Sequence, residues 1–120
     1  MTIDWPFASD AIQLGGVELG EAGAHVQPDD AERQTVTADG ILKGFADRPG
    51  VLLCDEVGMG KTYVALAVAA SVLLATRARW RGPVVIMVPG RLRRKWQREW
   101  EQFKHHCSRA GSLNWIRDTY

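Results

Sequence analysis

The chain has 120 residues, 46% of them hydrophobic and 24% charged, with a formal net charge of +1. That composition suits one modest domain with one core, and the longest apolar run, Tyr63 to Ala75, falls short of the roughly 20 apolar residues that span a bilayer. The acidic start MTIDWPFASD lacks the basic-then-apolar order of a secretory signal, and two distant cysteines, Cys54 and Cys107, suggest no disulfide framework. A reducing cytoplasm is the expected compartment, with no membrane partner.

The small net charge conceals an asymmetry. Residues 1–76 carry 4 Lys/Arg against 11 Asp/Glu, a net −7, whereas residues 77–120 carry 11 against 3, a net +8. A basic block beside an acidic one fits a polyanion partner for that block. It fits a solvated basic helix face equally well, and composition does not choose.

Residues 1–28 form a leader, irregular or hairpin-forming, in which Gly15, Gly16, Gly20 and Gly23 interrupt any regular pattern. Ile12, Leu14, Val17 and Leu19 are its candidate strand residues, and Trp5-Pro6-Phe7 a candidate packing anchor. His25 has no partner at metal spacing and reads as a surface residue. Pro28 and Asp29 then signal a helix start, with Asp30 and Glu32 complementing the dipole of the first turn. Val36, Ile41, Leu42 and Phe45 can share one face, and Arg48-Pro49-Gly50 ends the element.

Next comes VLLCDEVGMGKT, from Val51 to Thr62. Val51 to Cys54 is a continuous apolar run, as expected of a strand covered on both faces. Gly58, Met59 and Gly60 form a turn whose backbone N–H groups can converge on an anion, and the positive end of the following helix points the same way. Lys61 brings a mobile charge to terminal phosphates, and the Thr62 hydroxyl suits a magnesium ion bridging them. Asp55 and Glu56 also resemble a magnesium-holding pair. They stand too close to the glycine turn for that role, so turn-shaping and contact with Lys61 or magnesium is the preferred reading.

The Walker A phosphate-loop pattern has glycine where this chain has Asp55. The form D-E-x-G-x-G-K-T resembles motif I of superfamily II helicases, and more narrowly the Swi/Snf-type DNA translocases, including their RapA-like branch. The resemblance implies a P-loop lobe that binds ATP and magnesium, with Asp55, Glu56, Gly58, Met59, Gly60, Lys61 and Thr62 at the nucleotide. Relatives place a glutamine upstream of motif I to read adenine, and Gln34, in the run A-E-R-Q, stands at a similar place. An amide can donate and accept at once. Alternatively, Gln34 is a surface residue of an amphipathic helix. Arg33 is a secondary candidate for the base or a phosphate.

Tyr63 to Ala75 is a helix apolar on nearly all sides, which neighbours must cover. Arg77, Arg79, Trp80 and Arg81 lie in the loop that follows. Pro83 to Pro89, PVVIMVP, reads as a second buried strand, completing a right-handed βαβ unit. Arg91 to Phe103 returns as a helix. P-x-x-x-x-V-P followed by L-x-x-x-W-x-x-E resembles motif Ia of the same translocases through Pro83, Val88, Pro89, Leu92, Trp96 and Glu99. In that family this loop and first turn meet the DNA backbone, which implicates Arg91, Arg93, Arg94 and Lys95. The charge chemistry agrees, since phosphate contacts release counterions and position a duplex without reading its bases. The stripe Leu92, Trp96, Trp100 and Phe103 is expected to pack onto the sheet. His105-His106-Cys107 is too small a donor set for zinc.

The expected architecture is therefore α/β: a partial P-loop (RecA-like) lobe of parallel strands with flanking helices, over residues 29–104, between a leader (1–28) and a truncated tail (105–120). No separate D-E-x-H or D-E-x-Q motif follows motif Ia in these residues, and there is no second lobe. The parent family hydrolyses ATP to move on DNA; this chain alone is expected to bind nucleotide weakly and not turn it over. The alternative is a non-hydrolysing nucleotide- or DNA-binding module with a vestigial phosphate loop. Expected partners are ATP with Mg2+, the backbone of duplex DNA, and the remainder of the motor if the gene continues.

Overall fold

The computed structural model describes residues 5–16, 28–54, 60–78 and 82–119. Among the described residues three α-helices form where the sequence supplies start signals and long non-proline runs. Helix α1 spans Pro28–Gly44, with Asp29 and Asp30 in its first turn and Lys43 in its last, all favourable to the helix dipole. Helix α2 spans Lys61–Thr76, rich in alanine and leucine. A 3-10 turn, Gly90–Leu92, leads into α3, Arg93–Cys107. Among the described residues no helix is long and apolar enough to cross a membrane.

Helix α2 is central, with α1 and α3 packed against it. Its Val64, Leu66, Ala67 and Ala70 are buried together with Ala31 and Ala38 of α1 and Phe103 and Cys107 of α3. Small residues on α1 and α2 let the backbones approach. Phe103 fills the α2–α3 contact, edge-on to Tyr63 at 5.7 Å and stacked on Trp100 at 5.8 Å between centroids.

The segments flanking the helices meet each other. Ile12 and Ser108 form an isolated antiparallel bridge, with Gln13 N–H donating to Cys107 O at 2.9 Å and Arg109 N–H to Ala11 O at 2.8 Å. Ala8 N–H donates to the buried Ser71 hydroxyl of α2 at 3.2 Å. Ile12, Leu14 and Leu113 are consequently fully or nearly fully buried. The far end is clamped through Asp118: Trp100 Nε1 donates to Oδ1 and Lys104 Nζ to Oδ2, both at 2.6 Å. Burial alone would weaken the Lys104 ammonium, but hydrogen bonds to Asp118 and Glu101 outweigh it and raise its pKa.

The expected α/β architecture is not what forms. Among the described residues there is no strand and no sheet; the only β pairing is the Ile12–Ser108 bridge. Residues 51–54 and 82–89 are irregular backbone, and the parallel strands and βαβ unit assigned to them are absent. The physical reason is that a helix closes its hydrogen bonds within itself, whereas a strand needs a neighbour to receive them. Neither 51–54 nor 82–88 makes a backbone hydrogen bond among the described residues. The aromatic stripe expected to lie on a sheet instead packs on α2, through Phe103 and the part-buried Trp96 and Trp100.

Candidate functional site

The junction before α2 is built from a glycine that bends the wrong way for other residues. Gly60 has φ of 77° and ψ of 27°, left-handed, and serves as the N-cap of α2 with no side-chain capping bond. Val64 N–H closes the first turn on Gly60 O at 3.2 Å. Among the described residues no side chain caps the first-turn amides of α2, which lie at the end of a helix that favours an anion. Lys61 and Thr62 are the first two helical residues, both half-buried. The Lys61 side chain lines an apolar cavity of about 340 Å³ with Ile41, Phe45, Leu53 and Val64. It makes no ion pair among the described residues.

Gln34 is brought to the same place. It is only 5% exposed, on α1, and a methyl group at Gly60 would overlap its side-chain amide nitrogen. Its Oε1 is buried without a hydrogen-bond partner among the described residues. A buried, unsatisfied amide oxygen costs on the order of 1–3 kcal/mol and so is an unusual thing to keep. Gln34 is therefore no surface residue of an amphipathic helix. Arg33, one residue earlier, is exposed and paired with Asp30 at 2.9 Å. Asp55, Glu56, Gly58 and Met59 lie outside the described residues.

Arg91, Arg93, Arg94 and Lys95 are all exposed, around the 3-10 turn and the start of α3. None of them makes an ion pair among the described residues. They are a separate group from the Gly60 junction in sequence and in the surfaces they line: Arg93 borders a groove of about 1040 Å³ that Arg77 and Arg117 also reach. Arg77 lies 4.5 Å from the Trp115 ring centroid. Sequence reasoning missed Arg117 and the Asp118 clamp that holds it near α3, because the tail offers no periodic pattern. The excess of cations after residue 77 was the one available signal. No metal-holding group of three or more His, Cys, Asp or Glu occurs among the described residues, and Cys54 and Cys107 are unpaired.

The model of the SNF2-related domain matches residues 18–116, well over half of the chain. The chain belongs to the SNF2-related domain family. Over 58 residues it is 47% identical to the RNA polymerase-associated protein RapA of Pseudomonas aeruginosa (strain LESB58), a match covering 47% of this chain and 6% of that protein. No solved structure matches. The Swi/Snf-type resemblance read from the D-E-x-G-x-G-K-T and P-x-x-x-x-V-P runs is thereby upheld.

Proposed function

We propose that this member of the SNF2-related family is the ATP-binding part of a Swi/Snf-like DNA translocase. Alone, the 120-residue chain holds nucleotide without turning it over. The observation that carries the reading is the convergence at Gly60: a left-handed glycine, a helix start with Lys61 and Thr62, and a buried glutamine amide, with neither the helix start nor the Gln34 oxygen partnered by a side chain among the described residues. An adenine nucleotide offers what these groups lack, namely phosphates for the amides and Lys61, and an exocyclic amine for Gln34 Oε1. The residues present fit magnesium as a nucleotide-borne ion, because the Thr62 hydroxyl has no hydrogen bond among the described residues. When bound, magnesium would neutralise charge between phosphates.

In this reading Gly58, Met59 and Gly60 supply the amide cradle, and Asp55 and Glu56 shape its entrance. Lys61 leaves its apolar cavity to reach the phosphates. Hydrolysis in this class of motor depends on several separated motifs acting together. These 120 residues hold two of them, which is why turnover is not expected. Arg91, Arg93, Arg94 and Lys95 would hold the phosphate backbone of duplex DNA, supported by their exposure and by the absence of ion pairs to them among the described residues. A reducing cytoplasm suits the two unpaired cysteines.

Titration of labelled ATP with Mg2+ tests the proposal. Saturable binding that Lys61→Ala weakens at least tenfold is expected, with no phosphate release with or without duplex DNA. Equal binding by the Lys61→Ala chain, or turnover that this change abolishes, would contradict it.

A further inference from the structure

Beyond Ile116 the chain is held to α3 by one side chain. Residues 117–119 make no main-chain hydrogen bond among the described residues. Their anchor is the Asp118 carboxylate, whose two oxygens accept from Trp100 Nε1 and Lys104 Nζ at 2.6 Å each. The Lys104 and Asp118 side chains are 18% and 19% exposed, so the carboxylate largely covers the ammonium it pairs with.

An indole N–H beside an ammonium is a two-donor fork that fits a pair of oxygens on one anion. A carboxylate fills it, and a phosphodiester offers the same pair. Arg93, Gln97, Trp100 and Lys104 recur at four, three and four, which places them on one face of α3 over about 16 Å. Arg93, Gln97 and Trp100 border the groove of about 1040 Å³, as does the apolar rib at residues 83–88. The charged residues lining that groove among the described residues are Arg77, Arg93, Arg117 and Asp118. The one negative charge there is thus the one already seated on the fork. Glu101 also meets Lys104, at 3.2 Å, but it is 60% exposed, and a surface pair of that kind contributes little.

An acidic stretch of polypeptide, from this protein or another, would also bring a carboxylate. A polyanion with regularly repeated charge suits the surface better, because the fork lies on the helix whose start carries Arg93, Arg94 and Lys95, and residues 77–120 hold a net +8. We propose that Asp118 masks a further contact for the backbone of duplex DNA: when its carboxylate leaves, Trp100 Nε1 and Lys104 Nζ take a phosphate in its place. One anion replaces another, so Lys104 stays paired throughout. The inference rests on the reading of Arg91, Arg93, Arg94 and Lys95 as a duplex contact and extends that contact along α3.

Anisotropy of a labelled DNA duplex, titrated with the full 120-residue chain, tests it. Asp118→Ala should tighten binding about fivefold and steepen the log–log salt slope by about 0.9, the signature of one more phosphate contact. Adding Lys104→Gln should remove both gains. Glu101→Gln, the same charge change beside the same lysine, should tighten binding less than twofold. In the unmodified chain, the Trp100 indole proton resonance should shift on saturation with duplex. No duplex binding by either the unmodified or the Asp118→Ala chain would overturn the reading of the arginine cluster and this inference with it. Binding by both with equal affinity would overturn the masking alone. So would an equal gain from Glu101→Gln, a gain that survives Lys104→Gln, or an unmoved indole proton. A labelled oligoglutamate that gains as much as the duplex from Asp118→Ala would assign the fork to an acidic polypeptide segment and overturn the DNA assignment.

Discussion

Helix α2 and the rib at 83–88 are both apolar runs of the same chain, yet they end in opposite states. In α2 the main chain satisfies itself, and Val64, Leu66, Ala67 and Ala70 are buried in the core shared with α1, α3 and the leader. In the rib the main chain is unpaired among the described residues and Met87 is 91% exposed. Apolar composition therefore does not by itself decide burial. What decides it is whether the backbone can be hydrogen-bonded locally, since a helix needs only its own sequence and a strand needs a neighbour.

The contrast is open to attack from the covered side first. Phe103→Ala should have the largest effect, about 3–5 kcal/mol, because the ring is fully buried between α2 and α3. A urea melt followed by circular dichroism measures it; a loss under about 1 kcal/mol would mean the helices do not form one core.

Alkali probes the same interface. Burial raises the Cys107 thiol from its ordinary 9.0 to about 11, against opposing hydrogen bonds from the Gly16 and Gly15 backbone. The unfolded chain loses this proton near pH 9 while the folded chain keeps it. The contribution is whole below pH 9 and lost as pH rises through 11, on the order of 2 kcal/mol. Burial likewise pushes Tyr63 up to about 12, adding a second loss above pH 10. Urea midpoints should fall from pH 9 upward, and Cys107→Ala should flatten the part between pH 9 and 10.

The smallest effect belongs to the rib. Met87→Lys should alter the urea midpoint by no more than about 0.5 kcal/mol, because the side chain touches little. A large destabilisation would show that 83–88 is already covered, and the distinction between the two regions would collapse.

Local signals in the sequence were sufficient for the helices and for the junction. Pro28 with Asp29 opens α1, GKT opens α2 at Lys61, and Pro89-Gly90 precedes α3, because caps and breakers act within a turn or two of themselves. The family was legible too, since motif I and motif Ia are short and residue-specific. Val51 to Cys54 and Pro83 to Pro89 have strand composition, but pairing is a property of what lies alongside, and no local residue encodes that. The Gln34–Gly60 contact was legible only in part. The glutamine could be singled out, whereas its burial against the glycine depends on how α1 crosses α2. The Asp118 clamp on Trp100 and Lys104 links positions far apart in sequence, where no periodicity reaches.

The central claim is that the Gly60 junction, with Gln34, grips an adenine nucleotide. Amide resonances recorded during titration with ATP and Mg2+ test it most directly. The account predicts saturable shifts of the Gly60, Lys61 and Thr62 amides together with the Gln34 side-chain amide. Shifts confined to Arg91, Arg93, Arg94 and Lys95, with Gly60 and Gln34 unmoved, would mean that the triphosphate merely rests on the basic cluster, and would contradict it.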